Sequence, residues 1–431
     1  MMSWEIFLLF AFGLLLALLF AGVRIFVAFL ALNLLGMAML LGTRGFGLFA
    51  NSIFETATSA SLMTVALFVL MGEILFRSGT VGVLFDSIDR LVSRLPGRLY
   101  VVTIALSTVF GALSGSAVAV AAMLGRSVLP LMQDRGYDNR LSAATILAGA
   151  SLAPIIPPSL LAVIVGSLAD VSIAGLLVAG ILPGILFATL TLGYVFLRAP
   201  RSAAEEQSAA PKGTALGAVL RMTPFLLVVL SVMGLIFLGV ATPSESAATG
   251  VVGAILVAAI FGKLSLGMLR DAVSAAVVVS GTILVIICSA KLFSQLLSLA
   301  GATRGILNLL GDLGFGPDVT FLLMMAIPFV LCMFIDQIAF MLLAIPIYQP
   351  IVASFGYDPI WFWTLFLIIL TVGSLTPPFG YTLFALKGAS ERLSTVDVFR
   401  AAWPVVVIFV IGMVILWAVP GIVSLIPGAI R

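Results

Sequence analysis

Four stretches of this chain, residues 4–23, 25–41, 224–241 and 402–419, run apolar for 17 to 20 residues with at most one charge each. An α-helix rises 1.5 Å per residue, so about 20 such residues cross the roughly 30 Å hydrocarbon core of a bilayer. The composition agrees: 62% of residues are hydrophobic and 9% charged, against about a quarter charged in a soluble domain. So few charges cannot cover a water-facing surface. The expectation is an all-α polytopic membrane protein in which the lipid bilayer is the main partner. The first run lacks a cationic leader region and a small-residue cleavage site, and is read as a retained span.

The side-chain inventory argues against catalysis. There is no histidine, which removes the commonest general base, the usual zinc ligand and the Ser/His nucleophile pair. Cys288 and Cys332 lie in apolar sequence without a CxxC, as buried free thiols do. No organic cofactor and no enzymatic activity are expected.

The cations fall in groups: Arg77, Arg90, Arg94 and Arg98; Arg135 and Arg140; Arg198, Arg201, Lys212 and Arg221; Lys263 and Arg270; Lys387, Arg392 and Arg400. Spread a few per loop between apolar runs, they describe topology rather than a nucleic-acid surface, and the positive-inside rule makes these loops cytoplasmic. Residues 42–51, 170–172, 241–245 and 311–318 carry almost no Lys or Arg and are placed outside. Residues 203–213 read as a cytoplasmic linker. Asp86, Asp89, Arg90 and Arg94 alternate with Val83, Leu84, Ile88, Leu91 and Leu95 at helical spacing, the pattern of an interfacial amphipathic helix. Glu245, following Thr242-Pro243-Ser244, reads as a helix cap.

Two longer stretches do not fit simple spans. Residues 99–131 are too long for one helix and are interrupted by Ser114-Gly115-Ser116, while both flanks are cationic. Split there, each arm has about 15 residues and rises roughly 22 Å, too short to cross, so a re-entrant hairpin is expected. The next helix, 141–169, is interrupted by Pro154, Pro157 and Pro158, which lack amide donors and break it in mid-membrane. The order then recurs. Residues 319–353 have a polar tip at Asp336-Gln337 and no cationic flank, and residues 360–386 are interrupted at Gly373-Ser374-Leu375-Thr376-Pro377-Pro378. Two re-entrant helical hairpins, each followed by a proline-broken helix and entering from opposite faces, are expected to form an inverted repeat.

Interrupted backbone in hydrocarbon must be enclosed or line a wet cavity, because unpaired amides and carbonyls are costly to bury. The interruptions supply oxygen ligands for a hard cation. Candidate sodium ligands are Ser114, Gly115, Ser116, Gly149 and Ser151 on one side, and Asp336, Gly373, Ser374 and Thr376 on the other. The second hairpin arms begin near Ala117 and Ile338 and aim positive dipole ends at the same space, where a carboxylate fits. The candidate substrate region is Ala117, Pro157, Pro158, Ser159, Ile338, Pro377, Pro378 and Thr382. Each has a bland counterpart: Ser and Gly in membrane helices serve close packing or bond one turn back, and prolines make kinks. Asp336, between Phe334, Ile335 and Phe340, is costly unless neutralised and is read as functional or tip-organising.

These segments resemble the large membrane subunit, DctM type, of tripartite ATP-independent periplasmic (TRAP) transporters over nearly the whole chain. The resemblance is carried by 67–72 (LFVLMG), 114–119 (SGSAVA), 156–159 (IPPS), 239–245 (GVATPSE), 333–336 (MFID) and 376–380 (TPPFG). It implies an elevator carrier of the ion-transporter-superfamily kind, driven by Na+ as coupling ion and taking up an organic acid through the bacterial inner membrane. It also implies two partners, a small four-helix membrane subunit and a periplasmic substrate-binding protein. On that pattern 1–98 hold scaffold spans and the interfacial helix, and 99–200 the first transport half. Residues 201–302 are linker and scaffold spans, and 303–431 the second transport half. The chain departs from the pattern at Ala117, where a second Ser is common, at Gln337, commonly Pro, and at Thr382, usually Asn.

Three other readings compete. A stand-alone sodium-coupled dicarboxylate or anion carrier shares the architecture and would purify without a helical partner. An intramembrane aspartyl protease needs a second carboxylate facing Asp336, and none is evident. A channel would show a ring of like charges rather than paired broken helices.

Overall fold

A computed structural model describes residues 3–42, 45–79, 81–93, 95, 97–199, 214–390 and 392–429. The linker expected at 203–213 lies outside them. Among the described residues the chain is all-helical. The first group of helices is α1 (Trp4–Phe20), α2 (Ile25–Leu41), α3 (Gly45–Ala57), α4 (Ala60–Arg77) and α5 (Val81–Leu91). The second is α6 (Arg98–Ser114), α7 (Ala117–Ser127), α8 (Leu129–Asp134), α9 (Asn139–Leu152), α10 (Leu160–Leu168), α11 (Ile173–Ala179) and α12 (Ile181–Arg198). Then come α13 (Ala215–Phe237), α14 (Pro243–Ile260), α15 (Leu266–Leu299) and α16 (Ala302–Asp312). The last group is α17 (Pro317–Leu331), α18 (Gln337–Ser354), α19 (Pro359–Leu375), α20 (Tyr381–Ala389), α21 (Thr395–Ala418) and α22 (Gly421–Ala429). Among the described residues six helical stretches, with α11 and α12 taken as one, are long and apolar enough to cross a membrane, or seven if the bent pair α3–α4 makes one span. The chain is a polytopic membrane protein.

Local sequence explains several boundaries. Thr242 Oγ1 accepts the Glu245 N–H at 3.3 Å while Glu245 Oε2 accepts the Thr242 N–H at 2.8 Å, a reciprocal cap that opens α14. Helix α5 is amphipathic and buries Leu84 and Ile88. Residues 42–51, placed outside by the sequence, contain the start of α3 at Gly45. Gly45, Gly47 and Asn51 look like turn formers, but Ser52 and Thr56 are buried on one face of the helix, so packing overrides propensity.

Helices α1–α5 and α13–α16 pack largely among themselves: α4 on α14 and α15, α13 on α14 and α5, α15 on α2 and α3. The remaining helices form a second mass whose two stretches interleave. Both arms α6 and α7 pack on α9, and both arms α17 and α18 pack on α19. The second half of each broken helix then lies on the other stretch's hairpin, α20 on α7 and α10 on α18.

Small residues let these backbones approach. A Cβ on Gly111 would fall 2.7 Å from Ala153 Cα, and one on Gly125 of α7 would fall 2.8 Å from Ala389 Cβ of α20. Phe187 and Phe409 stack with centroids 4.4 Å apart, joining α12 to α21. Polar ties cross between the stretches as well. Arg392 Nη1 donates to Asp134 at 2.6 Å and Arg140 Nε to Asp397 at 2.9 Å, at the base of the first hairpin. Gln349 Nε2 donates to the Ala169 carbonyl at 3.1 Å, joining α18 to the end of α10.

Candidate functional site

At the first tip α6 ends at Ser114 and the chain turns through Gly115 at φ 61°. That left-handed conformation favours glycine, and here a side chain is excluded outright, since a Cβ would lie 2.9 Å from Leu160 Cβ. Ser116 takes an extended conformation and its Oγ accepts the Ala119 N–H at 3.3 Å, capping α7. The cap is a neutral hydroxyl and leaves the positive end of α7, at buried Ala117, unanswered by any charge in its own cap. Phe68 and Met71 of α4, Gly115, Pro158 and Leu160 enclose one small space, so this tip, the first break and α4 meet.

The first break follows directly. Ser159 Oγ donates to the Pro154 carbonyl at 2.6 Å and accepts the Ala162 N–H at 3.2 Å, closing the interruption and capping α10 with one side chain. Ser151 Oγ donates to Leu147 O at 2.9 Å. Gly149 has a packing role: a Cβ there would lie 2.2 Å from Ser107 Oγ on α6.

The second tip is built differently. Asp336 is exposed, and its Oδ1 accepts the N–H of Ile338 at 2.9 Å and of Ala339 at 3.3 Å, capping α18 with a carboxylate. The Ile338 amide is thereby engaged, and the positive end of α18 is answered from within the chain. Beside the tip, exposed Phe334 meets exposed Phe379, centroids 5.6 Å apart, while Phe340 is buried.

Next to Asp336, Gln337 is buried and its Nε2 donates to Ser374 Oγ at 3.0 Å. Ser374 Oγ donates to Thr371 O at 2.8 Å and lies 3.4 Å from Thr382 Oγ1. The Tyr381 phenol interacts with Ser374 and with the Gln337 backbone. Thr376 Oγ1 donates to Val372 O at 2.6 Å. A Cβ on Gly373 would fall 2.7 Å from Cys332 Cβ, so this glycine too admits the neighbouring hairpin arm.

The two breaks share backbone features. Each contains a cis Pro-Pro bond, at Pro157-Pro158 and at Pro377-Pro378. Each broken helix starts on an Asp cap, Asp138 accepting from Leu141 N and Asp358 from Trp361 N.

Tips and breaks are therefore brought together in pairs, Gly115 with Pro158 and Leu160, and Gln337 with Ser374 and, through it, Thr382. Ser151, Ser374 and Thr376 give their protons to carbonyls, which leaves oxygen lone pairs, and hydroxyl and carbonyl oxygens are the ligands of a hard cation. Gly149 and Gly373 also serve helix contact. Sequence reasoning missed Gln337 as a hydrogen-bonding group and missed Tyr381 altogether; the second had a signal, a phenol one residue from Thr382 at the break.

The profile of the family described as "Tripartite ATP-independent periplasmic transporter, DctM component" matches residues 12–422. The ectoine/5-hydroxyectoine TRAP transporter large permease protein of Ruegeria pomeroyi is 30% identical over 338 residues, 77% of this chain and 78% of that protein. The C4-dicarboxylate TRAP transporter large permease protein of Pseudomonas aeruginosa is 26% identical over 387 residues, 88% of each chain. Among solved structures the fold resembles the Alcanivorax borkumensis YdaH transporter, with a TM-score of 0.66 and 16% identity, covering 92% of this chain and 97% of that one. With two tip-and-break pairs and a family match across almost its whole length, this chain belongs to the TRAP transporter family as a large permease subunit of the DctM type.

Proposed function

We propose that the chain carries an organic acid across the bacterial inner membrane by sodium-driven symport, working with a small four-helix membrane subunit and a periplasmic binding protein that delivers the substrate. The observation that carries this reading is the pairing of each helix-break-helix tip with a proline break, two equivalent interruptions in one interleaved mass. Interrupted helices provide hydroxyl and carbonyl oxygens for the ion and helix N-termini for an anion. The first tip, with its neutral Ser116 cap, is the carboxylate end, and the second, with Asp336, Ser374 and Thr376, is the cation end. Relatives named for ectoine, 2,3-diketo-L-gulonate and C4-dicarboxylates support a small carboxylate as substrate.

In this reading the two stretches are an inverted repeat entering from opposite faces, and the interleaved mass moves as a rigid elevator against α1–α5 and α13–α16. The cationic ends of the first hairpin and of α20–α21 face the cytoplasm, which the Arg392–Asp134 and Arg140–Asp397 pairs support by placing these cations together. The test is uptake of radiolabelled carboxylates into ATP-free vesicles holding the permease and its partners. Uptake is expected to need an inward sodium gradient, and undiminished uptake with choline in place of sodium refutes the coupling.

A further inference from the structure

Gln337 is 5% exposed, and a buried amide is costly unless its polar atoms are paired. Its Nε2 donates to Ser374 Oγ at 3.0 Å. A serine hydroxyl has one proton and two acceptor lone pairs. The Ser374 proton goes to Thr371 O at 2.8 Å, and the Gln337 amide takes one lone pair. The hydroxyl rotor is thereby locked from two sides, and the last lone pair has a fixed direction. Its neighbours are the Tyr381 phenol and Thr382 Oγ1, the latter at 3.4 Å, near the outer limit of a hydrogen bond, and these two hydroxyls are what an arriving cation would displace.

We propose that Gln337 is a positioning residue for the coupling cation: through Ser374 it aims the oxygen that, with Thr382, faces the ion. This rests on the reading that the second tip and break hold sodium. A preformed ligand loses less freedom when the ion arrives than a hydroxyl that must first be oriented, so the amide raises sodium affinity without touching sodium. The purely structural alternative is a tie between tip and break. It predicts lower stability in any salt and an unchanged response to sodium.

The experiment needs no substrate. The purified full-length chain is melted in sodium chloride and choline chloride mixtures of constant ionic strength, and the sodium concentration giving half the stabilisation is read. In Gln337→Met that concentration is expected to rise about five- to tenfold, the effect of losing one orienting hydrogen bond. In a Ser374→Ala background Gln337→Met is expected to add nothing. Gln337→Leu is the second variant; like Met it has no donor for Ser374, so its sodium midpoint is expected to rise by the same factor.

An unchanged sodium midpoint in Gln337→Met and Gln337→Leu overturns the positioning role. If Ser374→Ala shifts the midpoint while Gln337→Met does not, only that role falls. If Ser374→Ala and Thr376→Ala both keep the wild-type curve, the sodium site at this tip falls with it.

Discussion

Asp336 and Gly149 show how one residue type reads differently once its neighbours are known. Asp336 has one carboxylate oxygen on two amides of its own helix, and asparagine offers the same oxygen at an N-cap. Asp336→Asn is therefore expected to keep the fold to within about 1 kcal/mol, the size of a charge–dipole interaction at a helix end. It is expected to raise the sodium requirement of uptake; initial rate against sodium concentration at matched membrane expression decides, and an unchanged curve removes this carboxylate from the cation end. Gly149 makes a steric prediction. A methyl there falls 2.2 Å from Ser107 Oγ, so Gly149→Ala is expected to destabilise by about 1–3 kcal/mol through overpacking. Adding Ser107→Gly is expected to recover most of the lost melting temperature. No recovery would mean that the clash lies elsewhere.

At the scale of elements, the breaks were legible because their cause is local. Proline lacks a donor wherever it stands, and Ser114-Gly115-Ser116 interrupts an apolar run too long for one span. What was not legible depends on partners distant in sequence. Gln337 finds Ser374 thirty-seven residues on, α3 is held by one buried face, and the crossing of α20 onto α7 follows from no local pattern. That crossing is testable at Gly125, whose Cβ would sit 2.8 Å from Ala389 Cβ. Gly125→Leu is expected to lower both melting temperature and uptake, with partial rescue by Ala389→Gly, the non-additivity of residues in contact. The ion pairs on the same face predict the opposite. Arg392 and Asp134 are 62% and 63% exposed, and exposed pairs contribute about 0–1 kcal/mol. Arg392→Ala is expected to leave the melting curve nearly unchanged.

For the whole molecule, the interleaving of the two stretches has a mechanical consequence. Packing of each broken helix on the other stretch's hairpin, with the buried-side tie at Gln349, makes the pair difficult to separate, so in the proposed elevator reading the motion that exposes the site to either side falls at its border with the other helices. That border includes α4, where Met71 shares a small space with Gly115 and Leu160. If the interleaved mass slides as a body, this contact must break in each cycle. In a chain with Cys288 and Cys332 replaced by alanine, Met71→Cys with Leu160→Cys is expected to cross-link with a short bifunctional thiol reagent. Cross-linking is expected to abolish uptake, while a reducible linker restores it on reduction. Each single cysteine variant should transport normally after the same treatment. Full uptake by a quantitatively cross-linked protein would show that α4 and the first tip travel together, and would place the moving border on the far side of α4.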